Sequence, residues 1–131
     1  MTKKGKIKMT VEKTDTGFSA YSDSIPIFTT AKSIPELISN AFEAAQLHFE
    51  EQDIKLTHKD IKFEIDFQQF FQYYKVLNAK FLAKKIGMNP TLLSQYVQGH
   101  KKPSAKQTEK ILTGIHQIGQ ELSEIHLIQQ V

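Results

Sequence analysis

Between Asn78 and Ser104 the chain sets polar and basic side chains at spacings that could grip and read a nucleic acid. Thr91, Ser94, Gln95 and Gln98 recur at three- and four-residue intervals, so on a helix they fall on one side. They carry hydroxyls and amides, the groups that hydrogen-bond base edges, and Leu92 beside them suits the thymine methyl. Lys80 and Lys84 precede this stretch and Lys101 and Lys102 follow it, where their ammonium groups would neutralise phosphates. Asn89 opens the segment and His100 lies in the loop that closes it. The candidate DNA-contacting set is therefore Lys80, Lys84, Asn89, Thr91, Leu92, Ser94, Gln95, Gln98, His100, Lys101 and Lys102. Glutamine pairs best with adenine, and the chain has no arginine to fork onto guanine, so a site biased toward A·T pairs is expected.

Other chemistries find less support. With no cysteine, the chain forms no disulfide, thiolate nucleophile or sulfur-ligated zinc site. The histidines at 48, 58, 100, 116 and 126 show no HxxxH or HExxH spacing. A two-metal nuclease needs converging carboxylates. Glu12, Glu43 and Asp66 would complete only a partial set, and the centre of the first strand, Ile7 to Thr10, has no acid. The expectation is a protein that is not an enzyme and takes no cofactor or metal.

Charge separates the chain into two halves. The 131 residues carry a net charge of +3, and all 17 basic residues are lysines. From Lys75 to Lys110 there are eight lysines against one acid, and from Thr14 to Asp66 ten acids against four lysines. The basic half suits a polyanion and the acidic half a basic partner. No apolar run approaches the roughly 20 residues of a membrane helix, and the charged start lacks the apolar stretch of a secretory signal. A cytoplasmic protein with no membrane partner is expected.

The elements that must position these residues follow from period and punctuation. Ile7, Met9 and Val11 alternate with polar residues, Thr14 to Gly17 is turn chemistry, and Phe18 to Tyr21 alternates again, giving a hairpin. A third strand is expected over Ile25 to Thr30, at an edge because of Pro26. Ser33 and Glu36 form a capping box before a helix whose inward face is Ile34, Leu37, Ile38, Ala41, Ala45 and Phe49. Asp60 to Phe67 alternates as a fourth strand. The period then turns helical: an aromatic-rich helix over Gln68 to Tyr74, a helix capped by Asn78 with Phe81, Leu82 and Ile86 inward, a turn at Gly87, and a helix opened by Asn89-Pro90 with Leu93, Tyr96 and Val97 inward. Gly99 stops that helix, and Ser104 to Gln107 is a second capping box. The spacing describes a helix-turn-helix; the other reading of it is a helical hairpin in a structural bundle.

The segment with Leu82-Ala83, Gly87, Leu93-Ser94, Gly99 and Pro103-Ser104 resembles the repressor-like (XRE, Cro/C1-type) DNA-binding domain. Where that family often has a phosphate-contacting glutamine this chain has Ala79, so the role would pass to Lys80. The N-terminal order of strand, strand with GFSAY, strand and then SIPELISNAFEAAQ resembles the HicB-type antitoxin domain. The resemblances imply an α+β chain: a β-β-β-α-β, partial RNase H-like domain over residues 1–67, then an all-α, lambda-repressor-like domain over 68–131. They also imply an antitoxin that neutralises a HicA-type mRNA-cleaving toxin and represses its own operon. The alternative is a stand-alone helix-turn-helix regulator whose N-terminal domain binds a small ligand or only dimerises.

The last helix carries Ile111, Ile115, Ile118, Leu122 and Ile125 at alternating four- and three-residue steps. Beyond Ile118 a domain core should be exhausted, so Leu122, Ile125, Leu127 and Ile128 are assigned to a dimer contact. A homodimer or higher even oligomer on a pseudo-palindromic operator follows.

Overall fold

In the computed structural model, which describes residues 7–127, the chain forms two compact units that divide between Tyr73 and Tyr74. It is a mixed α+β protein. The first unit runs β1 (Ile7–Thr14), β2 (Gly17–Tyr21), β3 (Phe28–Ala31), α1 (Ile34–His48), β4 (Ile61–Ile65) and α2 (Phe67–Tyr73). The sheet order is β3-β2-β1-β4. The pairs β1–β2 and β2–β3 are antiparallel, and β4 returns parallel to β1 with Ile7 opposite Ile61 and Val11 opposite Ile65.

Alternation puts Ile7, Met9, Val11 and Ala20 on the face that α1 covers with Leu37, Ala41 and Ala45, all buried. The two small alanines let the helix lie close to the strands. Ser33 Oγ accepts the Glu36 N–H at 3.3 Å, while the Glu36 carboxylate reaches one residue further back than a capping box requires, to the Lys32 N–H at 3.1 Å. Ile34, expected inward, is exposed on the first turn. The third strand begins only at Phe28: Ile25 to Ile27 make a tight turn, with the Ile27 N–H on the Ile25 carbonyl at 2.8 Å, because Pro26 has no N–H to give a ladder. The fourth strand stops at Ile65, and Phe67 belongs to α2 rather than to the sheet.

The boundary between the units lies after α2, not at residue 67, because α2 completes the sheet. The Asp66 N–H makes the last β4 bond to the Val11 carbonyl at 3.0 Å. Two residues on, the outward-facing groups of Lys13 have no strand beside them. The Gln69 side chain takes that place: its Oε1 accepts the Lys13 N–H at 2.9 Å and its Nε2 donates to the Lys13 carbonyl at 2.7 Å. Phe67 and Phe71 are buried, and the Tyr73 hydroxyl donates to Asp15 at 3.1 Å.

The second unit is α-helical: α3 (Ala79–Ile86), α4 (Pro90–Val97) and α5 (Ala105–Ser123). Leu82, Ala83, Met88, Leu93, Tyr96 and Ile111 are its buried side chains. α5 crosses α3 closely enough that a Cβ on Gly114 would stand 2.1 Å from Ile86 Cγ2.

Candidate nucleic-acid interface

Local chemistry sets the two short helices. Asn78 Oδ1 accepts the Phe81 N–H at 3.1 Å and opens α3. Gly87 closes it in the left-handed region at φ 71°, where a Cβ costs about 1–2 kcal/mol. The Met88 N–H reaches the Ala83 carbonyl at 2.8 Å and the Gly87 N–H the Lys84 carbonyl at 3.3 Å, the paired bonds of a Schellman motif. Buried Met88 then plugs the turn. At the next residue Asn89 Oδ1 accepts the Thr91 N–H at 2.8 Å, and Pro90 occupies the first helical position. α4 ends in a second Schellman motif: Gly99 is at φ 78°, its N–H bonds the Tyr96 carbonyl at 3.1 Å, and the His100 N–H bonds the Gln95 carbonyl at 2.9 Å. The Lys101 N–H shares that carbonyl at 3.3 Å. The loop that carries the basic residues is therefore tied back to the helix it follows.

α3 packs on both α4 and α5. Leu93 and Tyr96 turn into the core, which puts Thr91, Gln95 and Gln98 on the other side of α4. Thr91 and Gln98 are exposed, Ser94 and Gln95 half-exposed, and Leu92 half-buried. Asn89 spends its oxygen on the cap, so it offers only its amide donors outward. Lys80, Lys84, His100, Lys101 and Lys102 are all exposed. So are the basic residues outside the expected set, Lys75, Lys85, Lys106 and Lys110. Two of these have work inside the unit: Lys85 pairs with Glu121 at 3.2 Å, and Lys110 donates to the Gly87 carbonyl at 3.3 Å. The Lys110 contact ties α5 to the α3–α4 turn across 23 positions, a separation that leaves no local signal in sequence.

One expected core residue is misplaced. Phe81 is 63% exposed on α3, with Lys84 Nζ 5.5 Å from its ring centroid. Eight residues give α3 room for a single buried stripe, and Leu82 with Ala83 fills it. Of the residues assigned to a dimer contact, Leu122, Ile125 and Leu127 are 62%, 63% and 96% exposed, and Ile128 lies outside the described residues. α5 ends at Ser123, so Ile125 and Leu127 extend past the helix rather than continue its seam.

In the first unit the negative surroundings show at Tyr21. Partial burial, then the carboxylates of Glu12 and Asp23, push its hydroxyl above the usual phenol value. Among the described residues no three His, Asp or Glu side chains converge to hold a metal ion, and no helix is long and apolar enough to cross a membrane.

No protein-family model matches this chain, and no curated protein matches it.

Proposed function

We propose that the second unit binds operator DNA through α4 and that the first unit is a HicB-type antitoxin domain that captures a basic, HicA-type toxin in the cytoplasm. The observation that carries the reading is the α3–α4 pair. Two short helices, each closed by a left-handed glycine, present a polar, uncharged face with exposed lysines before and after it. A helix of about this length, with hydroxyls and amides facing outward, fits the major groove, and the lysines supply the sequence-independent grip on phosphate. The acidic charge from Thr14 to Asp66 supports the second half of the reading, because it would speed and orient the approach of a basic partner.

Exposed Leu122 in the last turn of α5, with exposed Ile125 and Leu127 just beyond it, supports a homodimer that spans two half-sites. Selection of the full chain on random duplex DNA tests the DNA half: an A·T-rich pseudo-palindrome is expected, and a G·C-rich or non-symmetric consensus would overturn it. Co-expression with the product of an adjacent small gene encoding a basic, histidine-containing protein tests the other half. Co-purification and rescue of growth are expected; toxicity that the chain leaves unchanged refutes the antitoxin assignment.

A further inference from the structure

β4 is the last strand of its sheet, and among the described residues no strand lies along its outer side. The Asp66 N–H points to β1. Strand alternation therefore turns the backbone groups of Lys62 and Glu64 toward β1 as well, and those of Ile61, Phe63 and Ile65 outward. Proteins usually blunt such an edge with proline, a bulge or an unmatched charge. Here the register runs unbroken from Ile61 to Ile65 without proline. Lys62, a residue type that repels a second edge, is answered two positions on by Glu64.

The chemistry of this strand is symmetric about its centre. Reversed and laid beside itself, Ile-Lys-Phe-Glu-Ile sets isoleucine against isoleucine, phenylalanine against phenylalanine and lysine against glutamate. Two further observations point the same way. Lys8 and Lys62 lie in register on neighbouring strands, and the one carboxylate of Glu64 serves both, at 3.9 and 3.5 Å. Like charges side by side weaken a pair of strands, and a second carboxylate would relieve them. Phe63 and Ile65 are on the core face but only half-buried, whereas Met9 and Val11 opposite them are buried. The apolar layer stops short at this edge.

We propose that β4 pairs antiparallel with β4 of a second copy about a two-fold axis at Phe63, joining two four-stranded sheets into one of eight strands. The outward groups of Ile61, Phe63 and Ile65 then form hydrogen-bonded pairs with their counterparts. Lys62 meets the second copy's Glu64 at a non-hydrogen-bonded position, where facing side chains come closest. Each contact off the axis occurs twice, as in any isologous interface. The opposite edge, β3, reads Phe-Thr-Thr-Ala and has no such complementarity. The contact needs neither DNA nor toxin.

The test uses the full chain carrying Leu122→Glu and Ile125→Glu, so that α5 is not the source of association, and sedimentation equilibrium without DNA. A reversible dimer is expected. Adding Lys62→Glu alone, or Glu64→Lys alone, sets like charges across the seam twice and should weaken the dimer about tenfold or more. The double reversal should restore it, and so should mixing the two single variants, whose chains are complementary only to each other. General unfolding cannot mimic that recovery. Amide exchange at Phe63 and Ile65 should slow as protein concentration rises, while Lys62 and Glu64 stay unchanged. A parent that is monomeric throughout, single variants that associate like the parent, or mixing that restores nothing would each overturn the proposal.

Discussion

Gly114 and Gly119 lie five positions apart on one helix, and the same substitution should have opposite effects at the two. Alanine is favoured over glycine inside a helix by about 1 kcal/mol. At Gly119 nothing lies within 4 Å of the added Cβ, so Gly119→Ala should stabilise the second unit by about that amount. At Gly114 the new methyl would sit 2.1 Å from Ile86 Cγ2, 3.5 Å from its Cβ and 3.8 Å from Leu82 Cδ1. Comfortable carbon contacts need about 3.5–4.0 Å, so Ile86 must retreat by more than an ångström. A β-branched side chain has few rotamers in which to do so. Overpacking of this kind costs about 1–3 kcal/mol against a helix gain of about 1 kcal/mol, so Gly114→Ala should lose up to about 2 kcal/mol. The clashing atom belongs to the β-branch. Ile86→Leu keeps the volume and removes that atom, so the double variant should recover most of the loss. Urea unfolding followed by far-UV circular dichroism measures all four proteins. Because Ile86 closes α3 just before the Gly87 turn, Gly114→Ala should also weaken the DNA binding proposed for this unit, and Gly119→Ala should not. Equal stability of the two alanine variants, or no recovery with Ile86→Leu, would refute the close crossing of α5 on α3.

Three further outcomes are expected, the one on DNA resting on the proposed function. Gln69→Ala strips both bonds from Lys13 and should destabilise the first unit by about 1–3 kcal/mol in urea unfolding. Gln69→Glu keeps the acceptor but at neutral pH turns a carboxylate oxygen toward the Lys13 carbonyl, and it should regain stability as acid protonates the carboxyl, which can then donate to that carbonyl. In DNA-binding titrations, Lys84→Ala or Lys101→Ala should weaken all sequences alike and flatten the salt slope by about one, whereas Gln95→Ala should relax preference at one base pair by about 1–3 kcal/mol. Burial and nearby carboxylates raise the Tyr21 phenol, so the folded state favours its neutral form; stability present below the ordinary value of 10.0 should fall as pH rises through the folded value, and Tyr21→Phe should reduce that fall in alkaline unfolding curves.

What could be read from sequence was what neighbours decide. Asn78, Gly87, Asn89-Pro90, Gly99 and Ser104 each act on backbone groups within a few residues, and each is found at the helix end it marked. The failures arise where distant chain decides. Phe81 has an apolar side chain at a helical spacing, but whether it is covered depends on what packs against an eight-residue helix, and Leu82 with Ala83 takes that place. Phe67 continues the alternation of the fourth strand, yet the sheet ends before it because Gln69 replaces the next strand residue. The pairing of β4 with β1 carries no local mark, since its direction is set by the path of the chain over α1. The polar face of α4 was legible as a pattern, although Gln95 is only half-exposed and Asn89 is partly spent on its cap.

The parallel pairing of β4 with β1 also has a consequence in time. Ile7 finds its partner Ile61 only 54 positions later in the chain. At about 5–20 residues per second, a ribosome needs roughly 3–11 s to make that interval. Throughout it β4 is missing, and until His48 is made α1 is incomplete as well, so the nascent hairpin of β1 and β2 shows the row Ile7, Met9 and Val11. Non-local closure of this kind is slow, whereas the three helices of the second unit depend mostly on nearby contacts and form quickly once synthesised. The first unit is therefore the slower of the two to close, and the part of the newborn chain that leaves apolar surface open longest.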